Sequence, residues 1–120
     1  MVRSWIGWSI LCGLGLTLGA CSLAPVAGPP VPTAGGVRFT VALPAARTVA
    51  VSGSFNDWSV TAHPMSPAGT DGLWTVIVPL PPGEFQFMYV VNGEEWLTPP
   101  QADDYVADGF GQRNGVVVAR

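Results

Sequence analysis

Two tryptophans, Trp58 and Trp96, lie beside predicted turns and could bind a ligand. Trp58 ends the segment G-S-F-N-D-W, which follows a short alternating strand, and Trp96 follows the Asn92-Gly93 turn. A large aromatic ring at a loop tip is costly to leave in water, so it either packs onto the core or faces a ligand. Flat aromatic rings with polar groups at their edges suit a ligand that has an apolar face and a polar rim. From the residues alone, both alternatives stay open for each tryptophan.

The polar residues offer little for catalysis or for metal binding. His63 is the only histidine, and no cysteine or second histidine lies near it to complete a metal site. The run D-D-Y-V-A-D-G at residues 103–109 does not have the alternating ligand spacing of an EF-hand loop. Glu94 and Glu95 are adjacent, whereas a glycosidase needs two carboxylates across a cleft. We therefore expect no catalytic residue, no metal site and no cofactor, and expect the chain not to be an enzyme.

The composition favours one small β domain. The chain has 120 residues, enough for a single domain, and only 11% of them are charged, while 15 are glycine and 12 are proline. Lysine is absent, and the formal net charge is −3. Because nucleic-acid binding needs cations clustered along one face, we expect no nucleic-acid partner.

The first 20 residues have the layout of a signal peptide. Arg3 precedes an apolar run over residues 5–18, which is shorter than the roughly 20 residues that span a bilayer. The run ends in Leu18-Gly19-Ala20-Cys21, which resembles the lipobox of bacterial lipoproteins, in which the cysteine is lipidated. The resemblance implies lipidation at Cys21, and Ser22 implies delivery to the outer membrane of the cell envelope. An uncleaved anchor or an ordinary secretory signal is the alternative.

Residues 21–36 are predicted to form a linker, and residues 37–120 the domain. The linker segment is rich in proline, glycine and alanine and carries no charge, which is typical of a tether. Alternating apolar and polar residues then predict strands over residues 37–43, 49–52, 73–80, 84–91, 95–98 and 114–119. Residues 99–113 are predicted to be a long loop. Several short strands without a credible helix indicate an all-β, immunoglobulin-like antiparallel β-sandwich.

Two hairpins are predicted from the connections. The first joins residues 37–43 to the strand at Val49 through a short turn. The second joins residues 84–91 to residues 95–98 through Asn92-Gly93, the commonest pair in a two-residue type I′ turn. Four aromatic residues on apolar strand faces are predicted to be core residues: Trp74, Phe85, Phe87 and Tyr89. The Tyr89 hydroxyl is predicted to reach an edge of the sandwich.

Several motifs in this order resemble carbohydrate-binding module family 48. They are G-S-F-N-D-W at residues 53–58, Pro64-Met65, the strand with Trp74, P-P-G-E-F-Q-F at 81–87, V-N-G-E-E-W at 91–96 and N-G-V-V-V at 114–118. The family includes the glycogen-binding modules of AMP-activated kinase beta subunits and the N-terminal early-set domains of isoamylases and branching enzymes. The resemblance covers about 80 residues and implies an immunoglobulin-like sandwich of the early-set type.

The resemblance also implies a binding face for an α-1,4-glucan. Four sugar-contacting positions of the family correspond to Trp58, Trp96, Asn114 and Phe110. A lysine that donates to sugar hydroxyls in the kinase modules corresponds to Met88, so this chain has a thioether where those modules have a donor. The expected function is a non-catalytic α-glucan-binding module on a membrane-anchored lipoprotein. The alternative is a structural or protein-interaction module of the same fold that binds no sugar.

Overall fold

The computed structural model describes residues 26–120. The predicted signal peptide and the lipidation site Cys21 lie outside the described residues. Residues 26–120 form nine strands, β1 to β9 in chain order: Gly28–Thr33, Gly36–Ala42, Val49–Gly53, Ser66–Pro67, Leu73–Val78, Gly83–Val91, Glu95–Leu97, Asp104–Ala107 and Arg113–Ala119. No helix that could cross a membrane is found in this part of the chain.

The strands form two antiparallel sheets, which confirms the all-β sandwich. Sheet A has the order β1-β2-β5-β4, and sheet B has the order β3-β6-β9-β8. The long strand β6 pairs with β9 along its first half and with β7 along its second half. Strand β3 pairs with the opposite edge of β6, and Ala50 bridges to Pro64 on its other side. Sheet B therefore combines short strands around one long strand.

The core lies between the two sheets and follows the alternation of the sequence. Side chains from β2, β3, β6 and β9 meet there, and Phe87 contacts Phe39 edge-on with ring centroids 5.1 Å apart. Trp74 packs against this core and donates its indole N–H to the Leu43 carbonyl at 3.1 Å. Because successive residues of a strand face opposite sides, Gln86 and Met88 lie on the outer face of sheet B.

The Tyr89 hydroxyl does not reach an edge of the sandwich, contrary to the sequence prediction. Tyr89 is 1% exposed, and its hydroxyl oxygen has no hydrogen-bond partner among the described residues. Desolvation by burial raises the pKa of this phenol above its usual range, with the nearby Tyr105 adding to the effect. Tyr89 therefore stays a neutral core residue.

The predicted hairpin between residues 37–43 and Val49 is wrong. Strand β2 pairs with β1 and β5 in sheet A, whereas β3 pairs with β6 in sheet B. The connection crosses from one sheet to the other, and the Leu43 amide donates to the Gly72 carbonyl, extending the contact with the start of β5. A short connection fits such an arch as well as it fits a hairpin, so its length alone could not decide the pairing.

Three strands lie where the sequence predicts no strand, and the shortest of them is β4, Ser66–Pro67. Residues 28–33, assigned to the linker, form β1 on the edge of sheet A, and residues 104–107, assigned to the long loop, form β8 beside β9. The prolines of β1 have no amide hydrogen, which is tolerated on an edge strand and makes that edge a poor template for another chain. Among the described residues, Gly28–Thr33 therefore belongs to sheet A together with the predicted strands.

Strand β1 is expected to contribute measurably to stability. Deleting residues 26–33 from a chain of residues 26–120 would unpair the edge of β2 and remove the buried Pro30. At about 1 kcal/mol per net hydrogen bond, we expect a loss of about 2 kcal/mol and a fall in Tm of roughly 10 °C. Thermal unfolding followed by circular dichroism measures this difference, and an unchanged Tm would show that residues 28–33 act only as a linker.

Candidate functional site

The loop after β3 presents Trp58 in an unusual backbone conformation. Asp57 and Trp58 have φ angles of 57° and 58°, in the left-handed region that non-glycine residues seldom adopt. The Trp58 amide donates to the Gly53 carbonyl at 2.9 Å, which closes the turn. The indole is half-buried, so the loop neither hides Trp58 in the core nor leaves it free in solvent.

Asn56 holds this loop together through both ends of its amide. Its Oδ1 accepts from the amides of Gly53 and Ser59 at 3.0 and 3.2 Å. Its Nδ2 donates to the Val51 carbonyl at 3.2 Å and to His63 Nδ1 at 2.9 Å. His63 thus buttresses the loop within the described structure. The asparagine of G-S-F-N-D-W is therefore explained by the turn that positions the tryptophan.

Gly53 lets β3 and β6 approach closely where the loop begins. A Cβ at this position would lie 2.3 Å from the Gln86 carbonyl oxygen and 2.6 Å from Phe55 Cε2. The Ser54 amide donates to the same carbonyl at 2.9 Å, and the Ser54 hydroxyl accepts from the Gln86 amide at 3.1 Å. Phe55 packs on Phe39 and on Phe85. The motif thus anchors the loop on β6 before it reaches Trp58.

The predicted hairpin of β6 and β7 is present and positions Trp96. Asn92 and Gly93 have φ angles of 54° and 81°, as a type I′ turn requires, but the connection between the paired residues Val91 and Glu95 has three residues rather than the predicted two. Trp96 pairs with Val90, which lies on the same face of β6 as Met88, so the indole stands on the outer face of sheet B. Trp96 is 40% exposed, and its ring centroid lies 6.5 Å from that of Trp58 at an interplanar angle of 52°.

Asn114 is nearly buried at the start of β9. It is 9% exposed, and its Nδ2 donates to Gln86 Oε1 at 3.0 Å. This bond orients both side-chain amides, and it leaves the side-chain oxygen of Asn114 and the NH2 group of Gln86 for other partners. The pair of amides therefore offers an acceptor oxygen and an NH2 donor group on the same face as the tryptophans.

Phe110 stands at the tip of the loop between β8 and β9. Its side chain is 91% exposed, and its neighbours Gly109 and Gly111 have φ angles of 85° and 94°. Asp108 Oδ1 accepts from the Phe110 amide at 2.7 Å and from the Gln112 amide at 3.1 Å. The turn closed by Asp108 therefore fixes the base of the loop, and the two glycines beside Phe110 allow the loop to place this exposed aromatic ring at its tip.

The four predicted residues line one open groove, which we call the tryptophan groove. It has a volume of about 350 Å³, and its lining residues are Trp58, Gln86, Met88, Trp96, Asp108, Phe110 and Asn114. Gln86 and Asp108 also line the groove and were missed by the sequence analysis. Strand alternation could have found Gln86, because it shares the face of Met88. The D-G-F turn was the available signal for Asp108.

Met88 forms the floor of the groove. Its side chain is 5% exposed and lies opposite Ser52 of β3. A thioether accepts hydrogen bonds only weakly and donates none, so the floor supplies apolar contact rather than polar recognition. Aromatic walls, an apolar floor and amides at the side can hold the C–H face of a sugar ring while pairing with some of its hydroxyls. The arrangement has the chemistry of a binding surface.

The sequence of the chain matches a known family of domains. The sequence profile of carbohydrate-binding module 48, the isoamylase N-terminal domain, matches residues 18–110. The chain belongs to carbohydrate-binding module family 48. The family resemblance drawn from the sequence motifs is thereby confirmed, together with the early-set sandwich that it implies.

The family 48 module is similar to the 1,4-alpha-glucan branching enzymes of several bacteria. It is 44% identical to the Pseudomonas syringae pv. syringae enzyme over 69 residues, which cover 57% of this chain and 9% of the enzyme. It is 36% identical to a Rhizobium johnstonii enzyme over 91 residues, which cover 75% of this chain and 12% of the enzyme. The chain therefore spans only a small part of the length of these relatives.

Proposed function

We propose that this family 48 module binds α-glucan without catalysing a reaction, and that a lipid on Cys21 anchors it to a bacterial membrane, with the outer membrane as its destination. The observation that carries the proposal of sugar binding is the meeting of Trp58 and Trp96 at 6.5 Å beside Asn114 and Phe110. Two tilted rings above an apolar floor match the curved apolar surface of a chain of sugars better than a single flat ring. The substrate named in the relatives, 1,4-alpha-glucan, supports the choice of ligand.

The carboxylates around the groove support a role without catalysis. Of residues 26–120, Asp108 is the one carboxylate in the groove lining. Glycoside hydrolysis usually needs a pair of carboxyl groups that flank the scissile bond, at separations of about 5 to 9.5 Å. Asp108 also has one oxygen committed to the amides of its own loop. The groove therefore fits holding a sugar chain better than cleaving it.

Retention on insoluble starch tests the proposed function. A chain of residues 26–120 is expected to sediment with starch and to be released by soluble maltodextrin, while remaining in solution beside cellulose. A matched control is Ile77→Ala, since Ile77 is 44% exposed on β5 of sheet A, away from the groove. The variant should be retained like the unaltered chain. Failure of the unaltered chain to bind starch and glycogen would overturn the proposal.

The apolar floor favours one other function, a contact with a protein. Met88 supplies no hydrogen-bond donor where a sugar site would use one, and Phe110 is an almost fully exposed aromatic ring. Exposed aromatics and methionine are enriched in the centres of protein interfaces. In that case the groove would hold an apolar side chain of a partner, and neither starch nor glycogen would compete for it.

Lipidation is tested separately from sugar binding. Replacing Cys21 by serine in the full-length chain is expected to remove all incorporation of an alkyne-labelled palmitate in a bacterial host, because a serine hydroxyl cannot form the thioether of the anchor. Cys12→Ser is the matched control and should leave labelling unchanged, since Cys12 lies within the predicted signal peptide. Labelling that persists in Cys21→Ser would show that the lipid is attached to another residue and would overturn lipidation at Cys21.

A further inference from the structure

The tryptophan groove carries a single formal charge. Its lining contains the carboxylate of Asp108, and no lysine or arginine of residues 26–120 takes part in it. The arginines of this region lie elsewhere, and Arg113 stacks its guanidinium on the Tyr105 ring, 4.5 Å from the ring centroid. A ligand in the groove therefore meets one negative charge, and no cation of residues 26–120 is in the groove lining to offset it.

The carboxylate is held in place by its own loop. Oδ1 accepts from the Phe110 and Gln112 amides, and the Asp108 amide donates to the Gln112 carbonyl at 3.0 Å. Oδ2 makes no hydrogen bond to another residue of the 26–120 segment, so it is the free acceptor of the pair. A fixed carboxylate oxygen accepts strongly from a hydroxyl, and it repels a second anion at close range.

We propose that Asp108 sets the specificity of the groove for neutral glucans and excludes glucans that carry carboxylate or phosphate groups. The inference rests on the proposed function, because it assumes that sugars occupy the groove. Among the side chains that line the groove, the Asp108 carboxylate is the strongest hydrogen-bond acceptor for a sugar hydroxyl. The same carboxylate repels a carboxylate or phosphate group carried by a glucan in the groove.

The test compares neutral amylose with carboxymethyl amylose of the same chain length on the full-length chain. Isothermal titration calorimetry at low salt should show neutral amylose binding at least about tenfold more tightly, and the preference should shrink at high salt, where the Debye length is only a few ångströms. Asp108→Asn keeps an oxygen for the loop amides and removes the charge. We expect this variant to bind the two ligands within about twofold of each other, a loss of most of the tenfold preference.

Asp71→Asn is the matched control. It removes the same formal charge from an exposed turn before β5 in sheet A, so it should leave the preference unchanged. A preference that survives in Asp108→Asn, or that is lost equally in Asp71→Asn, would overturn the role of Asp108. Equal binding of both ligands by the unaltered chain would overturn it too, while leaving the proposed function intact. Binding of neither ligand would overturn the proposed function and this inference together.

Discussion

Replacing either Trp58 or Trp96 by alanine is expected to abolish measurable binding to glycogen. Each indole can cover roughly 100 Å² of combined apolar surface, worth about 2.5 kcal/mol at about 25 cal/mol per Å². Because association costs an estimated 4 kcal/mol or more, one ring cannot hold the ligand by itself. Loss of about 2.5 kcal/mol weakens binding by roughly 60-fold, so a Kd on the order of 1 mM rises to tens of millimolar and sedimentation with glycogen no longer detects it.

The two variants differ in how cleanly they report on binding. Trp96 is 40% exposed, so its removal should change stability little, whereas the half-buried Trp58 also packs beside it. Each variant needs its Tm measured beside its affinity. Trp74→Phe is the matched control, because Trp74 packs on the core and lies in the other sheet. Folded Trp58→Ala and Trp96→Ala variants that sediment with glycogen like the unaltered chain would refute the two-tryptophan site.

The largest effect on folding is expected from Gly53→Ala. The new Cβ would lie 2.3 Å from the carbonyl oxygen of Gln86, a backbone atom that cannot move without disturbing the pairing of β3 and β6. Overpacking of this kind costs about 1 to 3 kcal/mol, and a backbone clash should fall at the upper end. For a domain of this size we expect Tm to fall by roughly 10 °C or more.

Gly69→Ala separates this clash from ordinary backbone strain. Gly69 has a φ angle of 84°, and nothing lies within 4 Å of the position of an added Cβ, so its substitution costs only the strain of the left-handed conformation. Chemical denaturation of both variants compares the two costs. If Gly53→Ala were no less stable than Gly69→Ala, the close approach of β3 and β6 at Gly53 would not be needed for the fold.

The sequence predicted the parts of the fold that depend on local patterns. Asn92-Gly93 indicated the β6–β7 hairpin because few residues other than asparagine and glycine tolerate positive φ at both central positions. Alternation along residues 84–91 correctly separated Phe87 and Tyr89 in the core from Met88 on the outer face. These signals are carried by residues close together in the chain.

Features that depend on distant partners were missed. Strand β1 forms because it pairs with the edge of β2. From the sequence alone, its three prolines indicate a linker, since the pairing with β2 cannot be seen there. The positive φ angles of Asp57 and Trp58 are stabilised by Asn56 and by the Gly53 carbonyl. The residue types at positions 57 and 58 therefore could not predict these angles. The family resemblance predicted Trp58, Trp96, Asn114 and Phe110 as contacts, and the structure brings them to one groove. Their role in sugar binding stays a prediction.

Indole N–H signals in an NMR spectrum give the most direct test of the tryptophan groove. A ¹⁵N-labelled chain of residues 26–120 contains three tryptophans, Trp58, Trp74 and Trp96. On titration with maltoheptaose, we expect the Trp58 and Trp96 indole signals to shift together along one binding curve. The Trp74 signal should stay in place, because its N–H is bonded to the Leu43 carbonyl inside the sandwich. A titration in which the Trp58 and Trp96 indole signals do not shift would contradict sugar binding in the tryptophan groove.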